Sequence, residues 1–259
     1  MQDLSKKIKF YHFRKKLWKS KPYKIYLKIY EKLVFYIIKN TKNKKVLFIN
    51  GMRRSGNHYL MKTIMNSTDH TVFFFNNQRL NENLSLFSGF QLKIKSLNKL
   101  LIIVGYEDLF VNDYIKSSTF ILNSIQTPYK NIKILIKRDI KNLMASRLNH
   151  PHMAPKLYKS IKERIKTKDL WLDHHSLDKN SENVINVRFN YIYDDLEPID
   201  LSNYGIEELK ENNKIMNRYG GGSSFDNNNY QQRYKKFKNE ECFEFLIKDL
   251  QKISSKIHD

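Results

Sequence analysis

Residues 46–65 read Val-Leu-Phe-Ile-Asn-Gly-Met-Arg-Arg-Ser-Gly-Asn-His-Tyr-Leu-Met-Lys-Thr-Ile-Met, and their reading decides the fold. Residues 45–50 form a short apolar run that stops at Gly51, the pattern of a strand buried on both faces. Residues 57–65 then carry apolar side chains at helical spacing. A strand that turns through Arg53, Arg54, Ser55 and Gly56 into a helix presents backbone N–H groups at the positive end of the helix dipole. Such a turn binds anions.

The same alternation continues along the chain. Residues 72–75, 100–104, 132–136 and 184–188 predict further buried strands, and residues 140–149 and 156–168 predict helices. The expected fold is α/β, a parallel sheet flanked by helices. Ahead of it, residues 23–39 predict a helix with Tyr26, Tyr30, Leu33 and Ile37 on one stripe and lysines opposite. Residues 240–257 predict a C-terminal amphipathic helix with Phe243, Leu246, Ile247, Leu250 and Ile253 on one side, and residues 220–229 a loop. Two units follow: a basic helical extension over residues 1–45 and an α/β domain over residues 46–259.

Composition narrows the function classes. The 259 residues carry a formal net charge of +21, with 41% apolar residues, 16 Phe, 16 Tyr and a single cysteine, Cys242. That much apolar material excludes a disordered chain, and one cysteine excludes a disulfide scaffold within the chain. No secretory leader pattern and no bilayer-length apolar run are present, so a cytoplasmic protein is expected, with peripheral contact to a membrane as an option. Residues 1–45 hold 15 Lys and Arg against Asp3 and Glu31, a net +13. That concentration attracts anions: a phospholipid surface, a nucleic acid or an acidic glycan.

Two segments carry chemistry. In the first, the spacing Gly51-x4-Gly56 mimics a P-loop, but Asn57 and His58 stand where Lys and Ser/Thr are required, which counts against a nucleotide phosphotransferase. Arg53 or Arg54 can supply the missing cation from inside the loop. In the second, Arg138 follows the strand at 132–136, and Ser146 lies on the next helix near Arg147 and His150. Ligands in open α/β sheets bind beyond the carboxyl ends of strands, so Arg138 and Ser146 are placed to meet a second anion.

Together the two segments resemble the sulfotransferases that use 3′-phosphoadenosine 5′-phosphosulfate (PAPS). Arg54-Ser55-Gly56-Asn57-His58 is similar to that family's first motif, and Arg138-Asp139 with Ser146 eight residues after the arginine is similar to its second. The family's proline is replaced by Ile140. Residues 184–191, 220–225 and 230–235 resemble later segments more loosely, and the likeness runs over residues 46–255. The resemblance implies a P-loop NTPase-like architecture and transfer of a sulfuryl group to a hydroxyl of a glycan or small molecule. It implies PAPS as nucleotide donor, held by Arg53, Arg54, Ser55, Gly56, Asn57, His58 and Tyr59 at the 5′ end and by Arg138 and Ser146 at the 3′-phosphate. It implies Arg54 as the catalytic cation and no metal.

An acceptor hydroxyl also needs a base. Glu107, just past the strand at 100–104, and His150, one helical turn beyond Ser146, compete for that role, with His58, His152, His174 and His175 as weaker choices. Tyr106 and Trp171 are candidates for a sugar-stacking surface, against the alternative that they are core. Residues 76–98, 151–182 and 202–230 are expected to build the acceptor pocket. The competing readings are a P-loop-like phosphotransferase and a basic protein that binds nucleic acid or membrane through its N-terminal segment.

Overall fold

A computed structural model describes residues 20–86, 89–96, 98–125, 131–150, 152–176, 184–189, 201–204, 206 and 234–248. The chain is an α/β protein built on a six-stranded sheet. Its strands are β1 (Lys44–Gly51), β2 (Thr71–Phe75), β3 (Phe90–Lys93), β4 (Leu100–Glu107), β5 (Asn131–Arg138) and β6 (Val184–Phe189), in the order β3-β2-β4-β1-β5-β6. All neighbours pair in parallel except the edge strand β3, which runs antiparallel to β2. The helices are α1 (Lys21–Asn40), α2 (Asn57–Ser67), α3 (Val111–Ile125), α4 (Ile140–Leu148), α5 (Ala154–Lys159), α6 (Ile161–Ser176) and α7 (Glu241–Ile247).

The period-2 alternation of the strands sorts their side chains onto two faces. Leu47 and Ile49 of β1, Leu101 and Ile103 of β4, and Val72 and Phe74 of β2 pack with Leu60, Met61 and Ile64 of α2. Val46 and Phe48, Ile102 and Val104, and Phe73 and Phe75 point to the other face, against Tyr114 and Ile121 of α3. Both faces are covered, which is why β1, β2 and β4 read as largely apolar sequence, whereas β5 also carries Lys133 and Lys137. A third cluster joins α4, α5, α6 and α7 beneath Met52, with Trp171 at its centre.

Several sequence expectations change in detail. The helix α1 exists, but its predicted stripe is not the buried one. Val34 and Ile38 enter the core, whereas Tyr26, Leu33 and Ile37 are exposed. The predicted helix over 156–168 is two helices, broken where Ser160 adopts an extended conformation and caps α5. Strand β4 runs on to Glu107, because its last three residues pair with Ile49, Asn50 and Gly51. The proposed acceptor segment 76–98 contains β3, and 151–182 contains α5 and α6. The C-terminal helix is described as α7; its continuation past residue 248 and the glycine-rich loop at 220–229 lie outside the described residues. Among the described residues, no helix is long and apolar enough to cross a membrane.

Candidate functional site

The carboxyl ends of β1, β4 and β5 meet at one edge, because Gly51 pairs with Glu107 on one side and Ile136 on the other. Arg138 lies two residues beyond Ile136. Helices α2 and α3 leave this edge over opposite faces of the sheet, which opens a crevice above β1.

The loop from Gly51 to Gly56 is knotted by its own side chains. Ser55 Oγ donates to Asn57 Oδ1 at 2.7 Å, and Asn57 Nδ2 donates to the Gly51 carbonyl at 3.0 Å. A Cβ on Gly51 would lie 2.3 Å from Asn57 Oδ1 and 2.6 Å from Ser55 Oγ, so a side chain there would force the Ser55–Asn57 pair to shift. Ser55 and Asn57 are buried and face inward. Their contribution to an anion therefore comes through the backbone. Gly56 caps α2 at φ 102°, and as first-turn groups the N–H of Asn57 and of His58 have no carbonyl preceding them in the helix. Tyr59 is buried on α2, with its N–H given to the Gly56 carbonyl.

Arg54 adopts φ 76°, a left-handed conformation that costs an L-residue about 1–2 kcal/mol. That twist aims its side chain across the crevice, where Nε donates to Ser146 Oγ at 3.2 Å. The Arg138 guanidinium donates to the Arg54 carbonyl. Arg138 and Ser146 are both buried, and the Arg138 carbonyl accepts from Trp171 Nε1 at 3.1 Å. Asp139 caps α4 through Asn142 N–H, so the Arg138-Asp139 pair fixes both the end of β5 and the start of α4. The two motifs, 84 residues apart at Arg54 and Arg138, thus touch directly.

Acidic groups back the loop on its other side. Asp108, at φ 58°, accepts from Arg53 N–H at 2.9 Å and forms a two-pronged pair with Arg147 at 2.9 and 3.2 Å. Burial pushes the Asp108 carboxyl up, but the Arg147 and Arg53 contacts outweigh it and hold it below the usual carboxylate range. Glu107 meets Arg53 Nε at 3.3 Å and His58 Nδ1 at 3.6 Å. Burial dominates there and raises the Glu107 carboxyl, with Arg53 opposing. Asn76 Nδ2 lies 2.9 Å from His58 Nε2, which leaves the ring proton on Nδ1, facing Glu107. Burial, then the charges of Lys62 and Arg54, lower His58 and keep it neutral at physiological pH.

His150 follows α4 in a turn, with its Nδ1 accepting from His152 N–H at 3.3 Å. Burial, then Arg54, His152, Arg53 and Arg147, depress its proton affinity. The structure therefore gathers Arg53, Arg54, Ser55, Gly56, Asn57, His58, Glu107, Arg138, Ser146 and His150 around one crevice. Tyr106 and Trp171 are fully buried and offer no stacking surface. His174 and His175 are also buried, the first donating to the Leu109 carbonyl and the second stacked on Trp171 at 3.9 Å. Sequence reasoning missed Asp108 and Asn76, and gave Arg147 no role. Only an acid directly after the predicted base hinted at the first, and nothing in residue type or spacing hinted at the second.

Comparison with protein-family models, with curated proteins and with solved structures gave no match.

Proposed function

We propose that the chain is a PAPS-dependent sulfotransferase with a P-loop NTPase-like core, acting on a hydroxyl of a glycan or small molecule. The observation that carries this reading is the contact between the two motifs. Arg54 Nε reaches Ser146 Oγ while Arg138 reaches the Arg54 carbonyl, so the cations and N–H groups of both motifs share one ledge, and in this reading a single nucleotide with two anionic groups meets both. A nucleotide with a 3′-phosphate and a 5′-phosphosulfate has that charge pattern.

In this reading the donor supplies an activated sulfuryl group, whose bond to the bridging oxygen breaks as a bond to the acceptor oxygen forms. The first-turn N–H groups of Asn57 and His58 hold the 5′ end. Arg54 stabilises the charge that grows on the bridging oxygen, a group of use mainly in the transition state. Arg138 and Ser146 hold the 3′-phosphate. Glu107 takes the acceptor's proton, its raised proton affinity bringing it nearer to neutral pH. His58, fixed by Asn76, keeps the carboxylate aimed into the crevice. The phosphotransferase reading is weaker, since Asn57 replaces the P-loop lysine and its amide is spent inside the loop.

Thermal unfolding with adenosine 3′,5′-bisphosphate and with ADP tests the assignment. A ligand at 100-fold excess over its Kd adds about 2.7 kcal/mol. The bisphosphate should stabilise the protein far more than ADP, and Arg138→Ala should remove the difference. Equal stabilisation by the two nucleotides refutes the 3′-phosphate site.

A further inference from the structure

Helix α1 is held to the sheet by one face, and another is left uncovered by the described residues. Val34 and Ile38 are buried in the core, and Phe35 stacks on Phe75 with ring centroids 6.4 Å apart. Ile25, Ile29, Leu33 and Tyr36, at spacings of four, four and three, are all more than half exposed. They form one stripe about 17 Å long at 1.5 Å per residue. Lys21, Lys28, Lys32 and Lys39 are exposed on a second row beside it. Helical geometry puts each of Lys28 and Lys32 one position before a stripe residue, so the cations border the apolar surface along its length.

The stripe has a rigid base. Tyr26 stacks on Tyr30 at 6.1 Å, and Tyr30 packs edge-on against Phe90 of β3 at 5.9 Å. Leu92, on the same face of β3 as Phe90, is also exposed at the sheet edge. A scattered exposed Leu or Ile needs no explanation, but a continuous stripe on a folded helix does.

We infer that this face of α1 is a docking surface for an anionic phospholipid bilayer, on which the helix lies in the plane of the interface. The chemistry selects that partner. A lone basic surface fits any polyanion, but an acidic glycan or a nucleic acid backbone gives four aliphatic and aromatic side chains nothing to bury. A bilayer takes both: the stripe enters the headgroup–acyl boundary, the tyrosines suit the interface, and the lysine row meets the lipid phosphates. The net +13 of residues 1–45 adds long-range attraction to the same surface. This inference is independent of the proposed reaction.

Co-sedimentation of the full chain with vesicles of phosphatidylcholine alone, or of phosphatidylcholine with phosphatidylglycerol, tests it. Binding to the anionic vesicles should exceed binding to the neutral ones at least about ten-fold. Two exposed double variants, Ile29→Glu with Leu33→Glu and Lys28→Glu with Lys32→Glu, should each lose about ten-fold or more while unfolding at the same temperature as the unmodified chain. Unchanged binding in the Ile29/Leu33 variant overturns the inference and assigns any attraction to basic charge alone. So does a dimer of the unmodified chain that the Ile29/Leu33 variant splits, because the stripe then pairs two copies. Equal binding to neutral and anionic vesicles also overturns it.

Discussion

Replacing Asp108 with Asn leaves the shape of the loop behind the crevice almost unchanged but strips Arg147 of its counter-charge. The Arg147 side chain is only 6% exposed, and both of its prongs end on Asp108. Its Nε is buried with no hydrogen-bond partner among the described residues, and Glu107 acts on the guanidinium through space without closing a pair with it. Breaking a buried pair costs about 3–5 kcal/mol, because the surviving charge stays desolvated. Asp108 is 22% exposed at its side chain, which places the expected loss near the lower end, about 3 kcal/mol. Asn retains an oxygen for the Arg53 N–H, so the loop's backbone anchor persists; the loss reports the Arg147 pair plus a smaller share from Arg53, whose half-exposed Nε lies 3.5 Å from Asp108 Oδ2. The pH dependence has a definite sign. The folded-state Asp108 carboxyl lies below its unfolded value, so the pair's contribution is complete above about pH 4 and fades as the pH falls through the depressed value. The deficit of Asp108→Asn should therefore be constant from pH 5 to 8, taken as rough limits, and shrink in stronger acid. Urea unfolding followed by circular dichroism measures it, with an unchanged m-value as the check that only stability moved. Adding Arg147→Met should recover part of the loss, since an apolar side chain tolerates that site better than an unpaired cation. A loss under about 0.5 kcal/mol, or a double variant no more stable than Asp108→Asn, would refute the argument that this pair is desolvated.

Two further outcomes concern the crevice. Arg54→Gly removes the guanidinium and also the left-handed strain at φ 76°, so stability should hold or rise by about 1 kcal/mol while sulfuryl transfer from PAPS falls more through kcat than through donor affinity. Unchanged turnover would move the role to Arg53. Glu107→Gln should keep bisphosphate binding and lower turnover about 10²–10⁴-fold. In the unmodified protein the rate should rise with pH through a value above that of an ordinary glutamate, as the buried carboxyl loses its proton. If His150→Asn loses turnover and Glu107→Gln does not, the base is His150.

The sequence alone determined which segments become the central strands, because a strand covered on both faces is apolar at most positions, with Asn50, Lys133 and Lys137 among the exceptions. Runs such as 46–49, 72–75 and 101–104 are short and continuously apolar, the pattern of buried strands. The turn at Gly51 and the helix opening at Asn57 were legible for a related reason: a glycine pair between an apolar strand and an apolar helix marks a change of direction. The edge strand β3 was not legible, since Phe90–Lys93 is half-exposed and lacks that signature. Helix α3 escaped as well, because Ser117 and Ser118 occupy buried positions where an apolar period would show them. On α1 apolar residues surround much of the helix, and the period could not say which face meets the sheet. Only packing chose Val34 and Ile38 over Leu33 and Ile37. The same division runs through the site. Arg54, Arg138 and Ser146 are identifiable by type and position, yet their contact depends on β1 and β5 being neighbours in the sheet. Asp108 facing Arg147, and Asn76 facing His58, come from separate elements that the parallel pairing brings to one edge. Local sequence sets what each residue can donate, accept or bury; which charges end up within 3 Å of each other is fixed by strand order, and strand order is a property of the whole chain.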